Sequence, residues 1–180
     1  MIIAIETERT IIREMQISDA EGMFSMDSDP DVHLFLGHKP FKNISESIDL
    51  INFLRKQYEE NGIARWAIEN KQTREFIGWV GFKLMKETIN HHSNYLDFGY
   101  RLRQKYWGKG YATEAAIAAL QFGLNERKLK NIYAMTDINN FASKRVLEKI
   151  GFKYAGVFPY DGEPTWRKID ELTAWFELPV

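Results

Sequence analysis

Tyr95–Ala115, YLDFGYRLRQKYWGKGYATEA, decides the fold class of this chain. Its first eight residues alternate: Tyr95 or Leu96, then Phe98, Tyr100 and Leu102, recur by twos, the period of a half-buried strand. Asp97, Gly99 and Arg101 fall on the other face. Gly108 and Gly110 follow, one residue apart, and lead into an alanine-rich run that predicts a helix from about Gly110 to Glu126. Its inner stripe, Ala112, Ala115 or Ala116, Ala119 and Gly123, is small enough to let the helix lie close to a sheet. Strand, glycine loop and helix make an anion trap, because the first-turn N–H groups lack intrahelical partners and the macrodipole is positive there. Two nucleotide motifs fail: GxGxxG needs a third glycine where Thr113 stands, and the Walker pattern needs Ser or Thr where Gly110 follows Lys109. Arg103, Lys105 and Lys109 would add positive charge. A tight turn alone also accounts for the glycine pair, so both readings stand at this point.

The chain has 180 residues, which predicts one domain spanning 1–180. Apolar residues make up 44%, enough for a full core, and the formal net charge is -1, which gives no global basic field for nucleic acid or a membrane surface. Any anion must be bound locally. With no cysteine, disulfides, thiolate metal sites and a thiol nucleophile are excluded together. MIIAIETERT is a poor signal peptide, and no apolar run approaches the ~18 residues of a membrane helix, so a cytoplasmic protein is expected.

Outward from the opening stretch, Thr10–Met15 (TIIREM) reads as a first strand, followed by a capping box with Ser18 as N-cap and Glu21 as its partner. From Ser45, the apolar positions Ile48, Ile51, Leu54 and Tyr58 mark a second helix that stops at Asn61-Gly62. RWAIE and EFIGWVGFKLM read as strands around a turn at Asn70 to Arg74. His91 and His92 fall in a polar loop, read as solvent-exposed, with no third ligand at metal spacing. NIYAMTD, KYAGVF and KIDELTAWFEL read as strands. NNFASKRVLEKIGF reads as a short helix with Asn140 as N-cap, Gly151 at C′ and Phe152 as its hydrophobic lock. The order is β, α, α, β, β, β, α, β, α, β, β, an α+β chain.

Two further groups carry possible chemistry. Asp97 is a carboxylate in the middle of an apolar strand, read either as a general base or as one half of a salt bridge. Asp137, Asn139, Asn140 and Ser143 cluster where a strand meets a helix, a pattern that helix capping also explains. Trp107, inside the glycine loop, is exposed unless it packs on something.

Taken together, DFGYRL, YWGKGYATEA, AMTDINNFAS and RVLEKIGF resemble the GCN5-related N-acetyltransferases (GNAT), and within them the ribosomal-protein-alanine, Rim-type (RimJ/RimL) branch. The resemblance implies a three-layer α+β fold: about four helices and a mixed, mostly antiparallel sheet of about seven strands, splayed between the fourth and fifth. It implies acetyl-CoA as co-substrate and no metal. The amides of Trp107, Gly108, Lys109, Gly110, Tyr111 and Ala112 would hold the pyrophosphate, with Lys105 standing where relatives have Gln or Arg. The backbone of Tyr100, Arg101 and Leu102 would pair with the pantetheine arm like an added strand. Asn140 and Ser143 would meet the pantetheine and thioester end. Asp97 matches an acid two residues before the family's Gly-Tyr pair and would act as base through a water; Ser143 would protonate the leaving thiolate, with Tyr160 as the alternative.

Direct attack by a primary amine is implied, the acceptor being a protein N-terminal amine or a small amine such as a polyamine, aminoglycoside or amino acid. A coenzyme A-binding sensor without catalysis is the alternative from another class. The acceptor pocket is expected between the first two helices, the loop around Asn90 to Asn94 and the segment from Phe158 to Thr165, with Asp31, Asp161 and Glu163 as candidate attractors for a cation. A monomer or homodimer is expected.

Overall fold

The computed structural model describes residues 4–37, 39–162 and 171–179. The turn at Asn70 to Arg74 forms as read. The Asn70 side chain accepts from the amides of Gln72 and Thr73, at 2.9 and 3.0 Å, and Arg74 takes a left-handed φ of 60°. It joins β3 (Arg65–Asn70) to β4 (Phe76–Met85), and the alternating stretch is β5 (Tyr95–Leu102). Around them lie β1 (Ala4–Glu6), β2 (Thr10–Arg13), α1 (Ala20–Asp27), α2 (Ile44–Asn61), α3 (Tyr111–Asn125), β6 (Ile132–Asp137), α4 (Phe141–Lys149), β7 (Lys153–Pro159) and β8 (Leu172–Glu177). Among the described residues there are eight strands in one sheet, ordered β1-β2-β3-β4-β5-β6-β8-β7. The extra strand is β1, three residues folded back on β2, too short to show a period.

Two helix starts differ from the sequence reading. Ser18 is not the N-cap and Glu21 does not close a box. A single 3₁₀ turn at Ile17–Asp19 precedes α1, and Asp19 accepts from the Gln16 amide at 2.8 Å while pairing with Arg13 at 2.8 Å. The carboxylate prefers the half-buried Arg13 guanidinium and a free amide together. Likewise α2 starts from Asn43, whose own amide and that of Lys42 donate to Glu46 at 3.1 and 2.8 Å. Its end is as expected, with Gly62 at φ 66°.

Every strand pair is antiparallel except β5 with β6. That parallel contact holds only Leu96 to Ile132 and Asp97 to Tyr133, after which the strands diverge. On one face of the sheet α3 covers Trp66, Phe82 and Phe98 with its small stripe; a Cβ on Gly123 would lie 2.6 Å from the Phe82 ring. On the other, α1 and α2 cover Ala67, Phe76 and Trp79 with Met23, Met26, Ile51 and Leu54. A third cluster of Met85, Ile89, Tyr95, Phe158, Tyr160 and Trp175 lies past the divergence.

α4 begins with the Asn140 side chain accepting from the Ser143 amide at 3.0 Å. It ends in a Schellman motif: Gly151 N–H to Glu148 and Phe152 N–H to Leu147, with Phe152 buried. Gly78 lets the end of β5 approach β4, since a Cβ there would stand 2.1 Å from the Arg101 carbonyl oxygen. Backbone cannot yield as a side-chain tip can. Gly78→Ala is expected to destabilise the fold by at least ~2 kcal/mol, read from the urea midpoint.

Candidate active site

Beyond Asp97, β5 keeps its partner β4 but leaves β6, so residues 98–102 present one strand edge to the opening between β5 and β6. The two faces of β5 there differ in chemistry. Tyr100 points to the α3 and α4 side, where its hydroxyl donates to the Ser143 carbonyl at 2.9 Å and lies 3.1 Å from Ser143 Oγ. Ser143 is itself held by the Asn140 cap. Burial pushes the Tyr100 phenol well above its usual range, against the Ser143 hydrogen bond, so it stays protonated. The structure therefore brings Tyr100, Asn140 and Ser143 together. The Tyr100 side chain was not singled out from the sequence, which assigned only its backbone.

On the other face Asp97 is buried and paired with Arg65 at 2.8 Å, so the salt-bridge reading of this residue is realised. The Arg65 guanidinium lies over the Trp79 ring at 4.4 Å, and Arg101 approaches the same ring at 5.3 Å. Gly99 makes this possible: a Cβ would sit 3.4 Å from both Arg65 and Trp79. The space at Gly99 is thus occupied by this chain's own side chains. Arg101 extends to Asp27 of α1 at 2.6 Å, beside His33 at 3.8 Å, which leaves only its backbone to the strand edge. Lys83 stands directly across from Asp97 in the β4–β5 register. Burial, reinforced by Arg65 and opposed by Asp97, pushes the Lys83 ammonium toward the neutral amine.

The glycine loop takes the shape the spacing implies. Gly108 and Gly110 have φ of 69° and 83°. A Cβ on Gly108 would meet nothing within 4 Å, so backbone conformation, not space, requires glycine there. Gly110 is the N-cap of α3 and has no side chain to offer, so Tyr111 and Ala112 open the helix without a side-chain cap. Each of the three basic side chains also has a partner within the protein. Lys105 pairs with Glu75 at 2.7 Å, Arg103 reaches the Phe76 carbonyl and Ser25, and Lys109 donates to the Lys105 carbonyl at 2.8 Å. Glu75 is near Lys105 in space though thirty residues away along the chain. Trp107 is half-exposed, and its Nε1 donates to the Leu102 carbonyl at 2.8 Å, tying the loop to the end of β5.

A brace from the other end of the chain was not legible in the sequence. Arg9 donates to the Lys109 carbonyl at 2.9 Å and to Glu114 at 2.6 Å, and its guanidinium lies 4.3 Å over the Tyr111 ring. Glu114 also accepts from the Thr7 hydroxyl at 2.6 Å. Other expectations change. His92 is not free in solvent; its ring stacks on Trp175 at 5.1 Å and meets Tyr133 at 4.6 Å. Asp31 accepts from Gln104 at 2.6 Å and Asp161 from the Asn90 amide at 3.1 Å, which separates these acids; Glu163 lies outside the described residues. Tyr160 is buried with the third cluster, on the opposite face from Ser143.

The family model described as acetyltransferase (GNAT) domain matches residues 9–153. The chain belongs to the GNAT acetyltransferase family. By that membership it is an acetyl-CoA-dependent N-acetyltransferase. Among its relatives is an uncharacterized N-acetyltransferase of Bacillus subtilis, YoaA, 31% identical over 153 residues, covering 85% of this chain and 84% of the relative. The spermidine N(1)-acetyltransferase of Escherichia coli K12 is 24% identical over 81% of this chain and 73% of its own. The solved structure of a GNAT acetyltransferase from Bacillus anthracis superposes with TM-score 0.77 at 27% identity, covering 97% and 96% of the two chains. A ribosomal-protein-S5-alanine acetyltransferase from Vibrio fischeri shares the fold, with TM-score 0.75 at 20% identity over 97% and 94%.

The Arg9–Glu114 brace carries a pH signature. Burial opposes ionisation of Glu114, but the Thr7 and Arg9 hydrogen bonds outweigh it and hold the carboxyl below its usual 4.5. A lowered folded value means the contribution is complete above 4.5 and is lost as pH falls below it. The stability gap between wild type and Glu114→Gln, read from urea midpoints, should therefore be largest near neutral pH and narrow as pH falls toward 3.

Proposed function

We propose that the chain transfers the acetyl group of acetyl-CoA to a primary amine at the opening between β5 and β6, with Asp97 as general base and Ser143 as general acid. The observation that carries this is the divergence itself. One strand edge at residues 98–102, a helix start without a side-chain cap after two left-handed glycines, and an Asn140-held Ser143 lie along one opening. The residues fit the co-substrate: the amides from Trp107 to Ala112 suit a pyrophosphate, and the free edge of β5 suits the amide-bearing pantetheine arm. When bound, acetyl-CoA supplies a thioester carbonyl for the amine to attack. Asp97 takes the proton from the acceptor ammonium through a water, which an amine with pKa of roughly 8 to 10 requires at neutral pH. Ser143 gives its hydroxyl proton to the departing thiolate, and the half-buried, protonated Tyr100 phenol positions that hydroxyl. Backbone N–H groups of β5 are the donors for the developing oxyanion.

For the acceptor, the Rim-type likeness of YWGKGYATEA and RVLEKIGF favours a protein N-terminal amine. The relationship to a spermidine acetyltransferase supports a small amine as the second reading.

Acetyl-CoA and coenzyme A are expected to raise the thermal midpoint where ATP does not, and Gly108→Ala and Gly110→Ala to weaken that shift more than they lower stability. In a thiol-release assay, Asp97→Asn and Ser143→Ala should each lower kcat/KM by at least about tenfold. Rates within about twofold of wild type would remove these two roles.

A further inference from the structure

We propose that Arg9 is a positioning residue for the donor site: it turns the Gly110 amide toward the pyrophosphate and cancels the charge of Glu114, which would otherwise oppose that anion. This role rests on the reading that the glycine loop holds the pyrophosphate of acetyl-CoA. Arg9 comes just before β2, which β3 and β4 separate from β5, so it approaches the loop from the side away from the opening between β5 and β6.

The first effect follows from peptide geometry. Arg9 Nη1 donates to the Lys109 carbonyl at 2.9 Å. That carbonyl and the Gly110 N–H belong to one trans peptide, in which they point in opposite directions. Holding the oxygen toward Arg9 therefore sends the N–H the other way, and among the described residues no acceptor takes it. Glycine at 110 also makes room for the guanidinium, because a Cβ there would stand 3.3 Å from Arg9 Nη2. The Tyr111 ring, 4.3 Å from the guanidinium, helps to fix its plane.

The second effect is electrostatic. Glu114 lies in the first turn of α3, where a carboxylate favours the helix but repels any anion bound at the same N-terminus. Both of its oxygens are committed to the segment before β2. Oε1 accepts from the Thr7 hydroxyl at 2.6 Å and the Arg9 amide at 2.9 Å, and Oε2 lies 2.6 Å from both Arg9 Nε and Nη2. One guanidinium thus serves a carbonyl and a carboxylate together, which its forked donors allow and a single ammonium does not.

Isothermal titration of the full chain and its variants with acetyl-CoA, alongside their urea midpoints, tests this role. Arg9→Gln should weaken acetyl-CoA binding about tenfold or more. Glu114→Gln should lower the urea midpoint at neutral pH yet bind acetyl-CoA at least as tightly as wild type, because Arg9 still holds the Lys109 carbonyl and the opposing charge is gone. Adding Glu114→Gln to Arg9→Gln should recover about threefold or more of the lost affinity. A purely structural brace behaves otherwise: cutting either end, or both, would weaken binding by the same factor. If Arg9→Gln does not fold, Arg9→Lys carries the test, with a loss of about threefold or more expected because the fork is gone.

Arg9→Gln, or in its place Arg9→Lys, within about twofold of wild type overturns the inference. So do equal losses in Arg9→Gln, Glu114→Gln and the double variant, or no recovery in the double variant. A wild-type chain that does not bind acetyl-CoA would instead remove the acetyl-transfer reading, and the inference with it.

Discussion

Two residue pairs, Leu96 with Ile132 and Asp97 with Tyr133, hold the halves of this sheet together, and the chemistry depends on the contact being that short. Had the parallel pairing continued, β6 would have taken up the backbone groups of β5 through Leu102, leaving no edge for an added chain. Had it not formed, the aromatic cluster carrying Tyr133 and Trp175 would have no fixed position relative to Asp97. The divergence starts at Asp97, the residue proposed as the base for the acceptor, and leaves the following backbone for the proposed donor site.

Opposite faces of β5 then separate two kinds of environment. Toward α3 and α4 burial keeps the Tyr100 phenol protonated, and its contact with Ser143 fixes a hydroxyl at the opening. Toward α1 and α2 the strand carries charge. Trp79 lies between two arginines, each with its own buried aspartate, Arg65 with Asp97 and Arg101 with Asp27. Such paired charges tolerate burial because each has a close counterpart, and losing one partner leaves the other uncompensated. The glycine loop is held from outside by Arg9 and Glu114.

Local patterns made much of this legible. Alternation in YLDFGYRL, the small stripe of α3, and the Asn140 and Gly151 caps each depend on neighbours within a few residues, and each appears where its spacing implies. Legibility ended where a side chain had distant choices. Ser18 lost the cap to Asp19 because Arg13 and the Gln16 amide are both within reach of that carboxylate. Lys105 found Glu75, His92 found Trp175, and Glu114 found Arg9, none of which spacing along the chain can show. The Asp97 salt bridge was one of two open readings, and its partner Arg65 became visible only when β3, β4 and β5 were set in register over Gly81 and Gly99.

Amide hydrogen exchange with and without acetyl-CoA tests the central claim, that the unpaired edge of β5 and the uncapped start of α3 form one donor site. The account predicts new protection confined to residues 98–102 and 107–113, with α4 near Ser143 following and β1 to β3 unchanged. Protection elsewhere on the sheet, or none at β5, would contradict it.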